Sequence, residues 1–220
     1  MTTLIKHYYR TIDLTSAILI PLMLFIFYAM HIPPMFLFFV TVISTPIVIY
    51  YLNHKHKVDR YLVSFPVRKK DIIKSRYLFS ISMSSFVLVF QVITMFICTK
   101  LLNGTQYVYS FRDIVVLLCL TVVICAIVIP IYHIFRSFIM ATSVVAILFF
   151  VSIVFTLPLL IEILGMEDVI IFNDLDPGLS MLVEEIIPYQ PFLFLMIISI
   201  ITFYISVTIS QKLYIKRDIH

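Results

Sequence analysis

Glycine is scarce in this chain: Gly104, Gly165 and Gly178 are the only three among 220 residues. A Gly-x-x-x-x-Gly-Lys-Ser/Thr phosphate loop and a Gly-x-Gly-x-x-Gly dinucleotide fingerprint both need closely spaced glycines, so neither can exist here. The Gly-x-Ser-x-Gly nucleophile elbow falls to the same count. Any nucleotide energy this protein uses must be held by another chain. Charge is scarce too, at 13% Asp, Glu, Lys and Arg against roughly 25% in soluble domains. Cys98, Cys119 and Cys125 are an odd number set in apolar stretches, which fits small buried hydrophobes better than a disulfide framework.

Reactive constellations are missing as well. Deep ionisable residues mark ion and proton pathways in membranes, yet Gln91 is the most polar deep residue, while Asp113, His133, Arg136 and Glu162 fall at span ends. That set is poor material for a proton-coupled carrier, a pump or a voltage sensor. His54 and His56 alternate with Lys55 and Lys57, and no carboxylate or cysteine completes a ligand set, so no metal site is expected. No nucleophile and base stand at a recognisable spacing, so no catalytic residue is assigned.

What the chain has is apolar residue, 62% of it, with a mean hydropathy of +1.09. A helix needs about 20 apolar residues to cross a bilayer. Six stretches reach or approach that length: 14–30, 35–52, 77–98, 114–131, 138–161 and 192–210. The expected fold is an all-α integral membrane protein of six transmembrane helices, residues 1–220 forming one domain. Pro33-Pro34 breaks the chain between the first two spans. Pro21, Pro46, Pro130 and Pro158 fall inside spans or near their ends, where neighbouring helices must satisfy the carbonyls they free. The first span lacks a cleavage site and is read as retained.

Six spans place both termini on one side, and the charges say which. Lys6, Arg10, the eight cations of 53–76, Arg136, Lys212, Lys216 and Arg217 share that side, fourteen of the sixteen basic residues. Only Lys100 and Arg112 lie opposite, with eight of the twelve acidic residues. Lys and Arg collect on the cytoplasmic side, so both termini are expected in the cytoplasm, with the chain multi-pass in the cell membrane.

Three segments are neither span nor plain loop. Residues 3–12 carry one apolar stripe, Leu4, Ile5, Tyr8, Tyr9 and Ile12, on a basic background, which suits an interfacial helix on the lipid bilayer. In the 53–76 region Val58, Tyr61, Leu62 and Phe65 fall on one face of a short helix that Pro66 ends, and a second helix runs from about Arg68 into the third span. A basic loop binding anionic lipid would need only the charge; the apolar face and fixed break fit docking to a cytoplasmic protein better. In the outer insert 162–190, Asp176 and Pro177 open an amphipathic helix that Pro188 closes, with Glu184 and Glu185 toward water. Re-entry into the membrane edge and a soluble outer helix fit this insert equally.

The stretch Ser64-Phe65-Pro66-Val67-Arg68-Lys69-Lys70-Asp71-Ile72-Ile73-Lys74-Ser75-Arg76-Tyr77 is similar to the pattern Ser-Leu-Pro-Val-Ser-Arg-x-x-Ile-Val-x-x-Lys-Tyr that follows span two in bacterial ABC-2 transporters. Phe65 stands for Leu, Arg68 for Ser and Arg76 for Lys; the Arg68 change removes a helix N-cap. With its order of interfacial helix, spans, basic loop and outer insert, the chain resembles the ABC-2 class of exporter membrane subunits, the type V exporter fold. Its size is most similar to membrane subunits of small peptide exporters. The resemblance implies a non-catalytic permease subunit that pairs with a second membrane subunit, identical or not, and with cytoplasmic P-loop ATPases that hold ATP and Mg. It implies no cofactor on this chain and no nucleic-acid partner. Asp59, Arg60, Leu62, Phe65, Pro66, Arg68, Lys69 and Lys70 would couple to the ATPase. Spans two and five face the two-fold axis in that fold, so Phe149, Ile153 and Leu157 would line an apolar substrate path. The competing readings are a secondary carrier or an assembly or immunity factor without an ATPase, and an intramembrane enzyme.

Overall fold

The computed structural model describes residues 23–28, 30, 32–55, 58, 68–101, 107–135, 137–164, 180 and 183–216. Among them are five long helices and no strand: α1 Pro34–Lys55, α2 Lys69–Leu101, α3 Phe111–Ile134, α4 Phe138–Leu164 and α5 Pro191–Lys216. All five are long and apolar enough to cross a membrane. Residues 23–28 and 183–186 are also helical. The expected interfacial helix 3–12 and most of the expected span 14–30 lie outside the described residues, as do most of the outer insert and most of 56–67.

Helix ends differ from the apolar runs for physical reasons. Asn53, His54 and Lys55 extend α1 past the expected end at 52, and His54 and Lys55 in its last turn suit the negative end of the helix dipole. α2 begins at Lys69 and runs 33 residues without a break, about 50 Å at 1.5 Å per residue, well beyond the ~30 Å hydrocarbon thickness. Its surplus is the charged first turns, Lys69 to Arg76. α3 starts three residues before the expected span because Ser110 is an N-cap in a capping box: its Oγ accepts from the Asp113 N–H, and Asp113 Oδ2 accepts from the Ser110 N–H. Ser110 Oγ and Tyr107 Oη also donate to that carboxylate, at 2.7 and 2.6 Å. This site holds the helix start although Asp113 is fully buried.

The helices alternate in direction, so one end of the bundle gathers Lys55, Lys69, Lys70, Lys74 and Lys212; we call it the basic end. α3 is central and packs against the other four, most extensively against α5, while α4 leans mainly on α3 and α1. Half of the α3 span, 50%, is buried, against 11% of the α4 span. Ile147, Phe150, Val151, Val154 and Phe155 of α4 are therefore bare, a surface suited to lipid or another membrane chain. Apolar clusters fill the two halves of the bundle. One, at the basic end, contains Ile72, Ile73, Tyr77, Ile129 and Tyr132. The other contains Phe38, Leu88, Met95, Val116 and Leu117.

Candidate functional site

Among the described residues, the basic end holds an arrangement whose chemistry exceeds packing. Ile72, Ile73, Arg76, Tyr77 and Ser80 recur at helical spacing along α2 and are all buried, so the face of α2 that enters the bundle carries a guanidinium with it. Arg76 is 2% exposed. Burying a charge is costly unless other groups compensate. Here two aromatic faces do so: the Arg76 Cζ lies 5.6 Å from the Tyr214 ring centroid of α5 and 5.9 Å from the Tyr50 ring of α1. Cation–π contacts contribute about 2 kcal/mol when desolvated, and the planar guanidinium suits stacking on rings better than an ammonium does.

The rings are themselves tied. Tyr50 stacks on Tyr132 of α3 at 4.3 Å and 8°. Its hydroxyl lies 3.0 Å from His133 Nε2, and His133 meets Tyr214 edge-on at 5.7 Å. Tyr132 Oη and Thr142 Oγ1 of α4 are 3.1 Å apart. One connected set of side chains thus joins all five long helices.

A second ladder lies one residue further along α2. Tyr77 Oη is 2.6 Å from Ser206 Oγ and 2.7 Å from Ser210 Oγ of α5. Ser206 Oγ donates to the Ala126 carbonyl of α3. That carbonyl is the one left without a helical donor by Pro130, four residues on. The expectation that a neighbouring helix answers a span proline therefore holds here, through a serine hydroxyl.

The sequence-predicted coupling residues stand beside this set. Arg68 precedes α2, its carbonyl accepting from the Asp71 N–H at 2.9 Å; it is exposed, as is Lys70, and Lys69 is half-buried. Asp59, Arg60, Leu62, Phe65 and Pro66 lie outside the described residues. Val58, the first apolar residue of the expected docking stripe, is described: it is buried in the same cluster as Ile72, Ile73 and Tyr77. On α4, Phe149 and Ile153 are half-buried, on the face that also carries the buried Ala141 and Val145; the Leu157 side chain lies outside the described part. The three cysteines are buried and unpaired with one another. Among the described residues no group of three His, Cys, Asp or Glu side chains could hold a metal.

Sequence reasoning missed Arg76 by counting it among the loop cations. The signal was available: Arg76 shares the i, i+3, i+4 face of Ile72, Ile73, Tyr77 and Ser80. Ser110-x-x-Asp113 was likewise a readable capping box.

Five helices long and apolar enough to cross a membrane, packed as one bundle, define a multi-pass membrane protein. The family described as ABC-2 family transporter protein matches residues 3–215, and the chain belongs to that family of multi-pass membrane proteins. Neither comparison with curated proteins nor comparison with solved structures gave a match.

Proposed function

We propose that this chain is the permease subunit of an ABC exporter, moving an amphipathic or hydrophobic substrate outward on ATP hydrolysed by a separate cytoplasmic subunit. The observation that carries this reading is α2: a single helix joins the charged segment after Pro66 to the membrane interior without a break, inside a chain that belongs to a transporter family. A rigid helix of that kind can carry a displacement from a docked ATPase into the bundle. The glycine count supports a separate nucleotide-holding chain. On this reading the chain is not an enzyme, carries no cofactor, has both termini in the cytoplasm and pairs with a second membrane subunit.

Coupling is assigned to Asp59, Arg60, Leu62, Phe65, Pro66, Arg68, Lys69 and Lys70, and the substrate path to Phe149, Ile153 and Leu157. The apolar character of that face supports an amphipathic or lipid-like substrate, because a hydrophilic one would lose its hydration uncompensated. The finer resemblance, to the membrane subunit of the phenol-soluble-modulin exporter, points to amphipathic peptides.

The test is co-purification from the native cell. The wild-type chain should bring down a P-loop ATPase, and Leu62→Asp or Phe65→Asp should release it. Ile153→Arg should keep the ATPase but stop export of an amphipathic helical peptide from reconstituted vesicles. Absence of any ATPase would sink the reading; ATPase retained by both aspartate variants would move the docking site elsewhere. Cysteines placed at Lys69 and Asp174 should label from the inside and outside of intact cells, respectively; the reverse inverts the topology.

A further inference from the structure

We infer that the groove at the end of the bundle opposite the basic end is a binding site for a phospholipid whose headgroup carries both a phosphate and an ammonium. An acyl chain lies along α5, the phosphate meets Arg112 and the ammonium meets Glu184. The inference needs only a chain that spans a membrane, and it stands apart from the permease reading.

The shape comes first. The open groove measures about 780 Å³ between the first turns of α3 and α5 and the stretch 183–188, within the usual ~300–1,000 Å³ of small-molecule sites. Phe111, Val115, Phe192 and Met196 make it apolar. Its outer wall is held to α3 at two points: the Ser180 side chain hydrogen-bonds Asp113, and four residues on Glu184 bonds Arg112. Pro188 and Pro191, each with a locked φ, bracket the turn into α5. Between them Gln190 takes a φ of 44°, a region few non-glycine residues enter. Its carbonyl accepts from the Phe194 N–H at 3.1 Å and fastens the turn to α5. Backbone in so sparse a region persists only where its surroundings hold it, so a fixed turn bounds the groove.

The occupant comes from the bilayer. Met196 on the groove floor continues at helical spacing into Ile197 and Ile200, and all three are exposed. The floor therefore runs onto the membrane face of α5. Tyr189 is bare beside the groove, as tyrosines are where helices leave the hydrocarbon. An acyl chain suits such a strip because it has no polar group to satisfy, whereas an extended peptide would leave backbone groups unpaired there.

The rim selects the headgroup. Arg112 Nη1 and Glu184 Oε1 meet at 3.0 Å, with both side chains exposed, so both charges stay open to a ligand. A guanidinium has five N–H donors, and this contact engages one nitrogen, which leaves donors for phosphate oxygens. A purely anionic headgroup would face Glu184 and the adjoining Glu185 as well as Arg112, and like charges oppose binding. A headgroup with both charges sets each against its opposite.

The test takes the full-length chain in neutral detergent and measures lipid retention by native mass spectrometry, with phosphatidylethanolamine or phosphatidylglycerol at equal concentration. Wild type should hold phosphatidylethanolamine about fivefold better, the most an exposed charge pair usually contributes. Glu184→Gln should abolish that preference and keep phosphatidylglycerol bound. Arg112→Gln should weaken both lipids about tenfold, as loss of a charge-assisted hydrogen bond predicts. Met196→Trp, which fills the groove and leaves the rim charges in place, should weaken both as well. In nanodiscs, phosphatidylethanolamine with a diazirine at the end of one acyl chain should label 196–204, and Arg112→Gln should lose that label. Equal retention of the two lipids by wild type, or unchanged binding in Arg112→Gln, would overturn the site. So would a label that falls on the bare face of α4 instead of α5. Displacement of the label by an equal concentration of amphipathic helical peptide would overturn it in favour of a peptide groove. If Met196→Trp does not fold, the label decides the groove.

Discussion

At the basic end of the bundle, side chains from five helices close around a buried arginine. At the opposite end, α3 and α5 begin around an open groove of about 780 Å³ lined by Phe111, Val115, Phe192 and Met196. The polar contacts there are of two kinds. The capping box of Ser110 and Asp113 opens α3, and its carboxylate is also hydrogen-bonded by the Ser180 side chain. The Arg112–Glu184 pair, 3.0 Å apart, reaches from α3 to the helical stretch 183–186, with side chains 67% and 42% exposed. The first end is cross-linked by buried polar and aromatic side chains around Arg76; among the described residues the second is joined by an apolar cluster, the Gln91–Pro34 hydrogen bond, the Ser180–Asp113 hydrogen bond and one exposed ion pair. The two ends therefore differ in how they are held: a buried aromatic and polar set gathers all five long helices at the basic end, and an exposed ion pair ties 183–186 to α3 at the other.

The comparison breaks most severely at Ser206. Ser206→Ala should leave the Ala126 carbonyl buried without a donor, at a cost of about 1–2 kcal/mol, given that an unsatisfied buried group costs ~1–3 and an average hydrogen bond between membrane helices contributes only about 0.6. The mechanism is checkable because the missing donor can be put back. Pro130→Ala restores an N–H four residues after Ala126, so the same serine change in that background should cost less than half as much. Unfolding in mixed detergent micelles measures both. Equal costs in the two backgrounds would show that Ser206 acts only through Tyr77.

How much of this was legible beforehand depends on what each feature needs. The spans answering to α1, α2, α3, α4 and α5 are long apolar runs, and a run of that length has few alternatives to a crossing helix. Their ends drifted by several residues because Asn53, His54, Ser110 and Asp113 are polar residues that helices use at their termini, and apolarity does not report them. Pro130 announced a freed carbonyl but not its donor, since nothing local ties residue 126 to residue 206. Arg76 was hidden by its neighbours: among Lys69, Lys70 and Lys74 it reads as one more solvated charge, and only the helical phase of Ile72, Ile73 and Tyr77 sets it apart. The face of α4 that carries Phe149 and Ile153 followed from spacing by four. Spacing by four does not tell a stripe that meets lipid from one that meets another chain.

The smallest effect expected is at Arg112, and its smallness is the point. An exposed ion pair gains little Coulomb energy in a high dielectric, and ordering two long side chains offsets part of that gain, so such pairs contribute about 0.2–1 kcal/mol at most sites. Arg112→Gln should therefore shift the unfolding free energy by no more than ~0.5 kcal/mol. Wild type should lose that increment in ~1 M salt, where charges are screened beyond about 3 Å. The variant, with no pair left to screen, should lose nothing further. Amide exchange should respond more than global stability does: Ile187, whose N–H bonds to the Val183 carbonyl at 3.0 Å, sits in the stretch that the pair pins to α3, and local opening draws on few contacts there. Faster exchange at 183–187 with an unchanged unfolding midpoint would describe a lip that opens by itself. A loss of more than ~1 kcal/mol, above the usual range for exposed pairs, would mean this end is fastened as firmly as the other, and the contrast between the two ends would not stand.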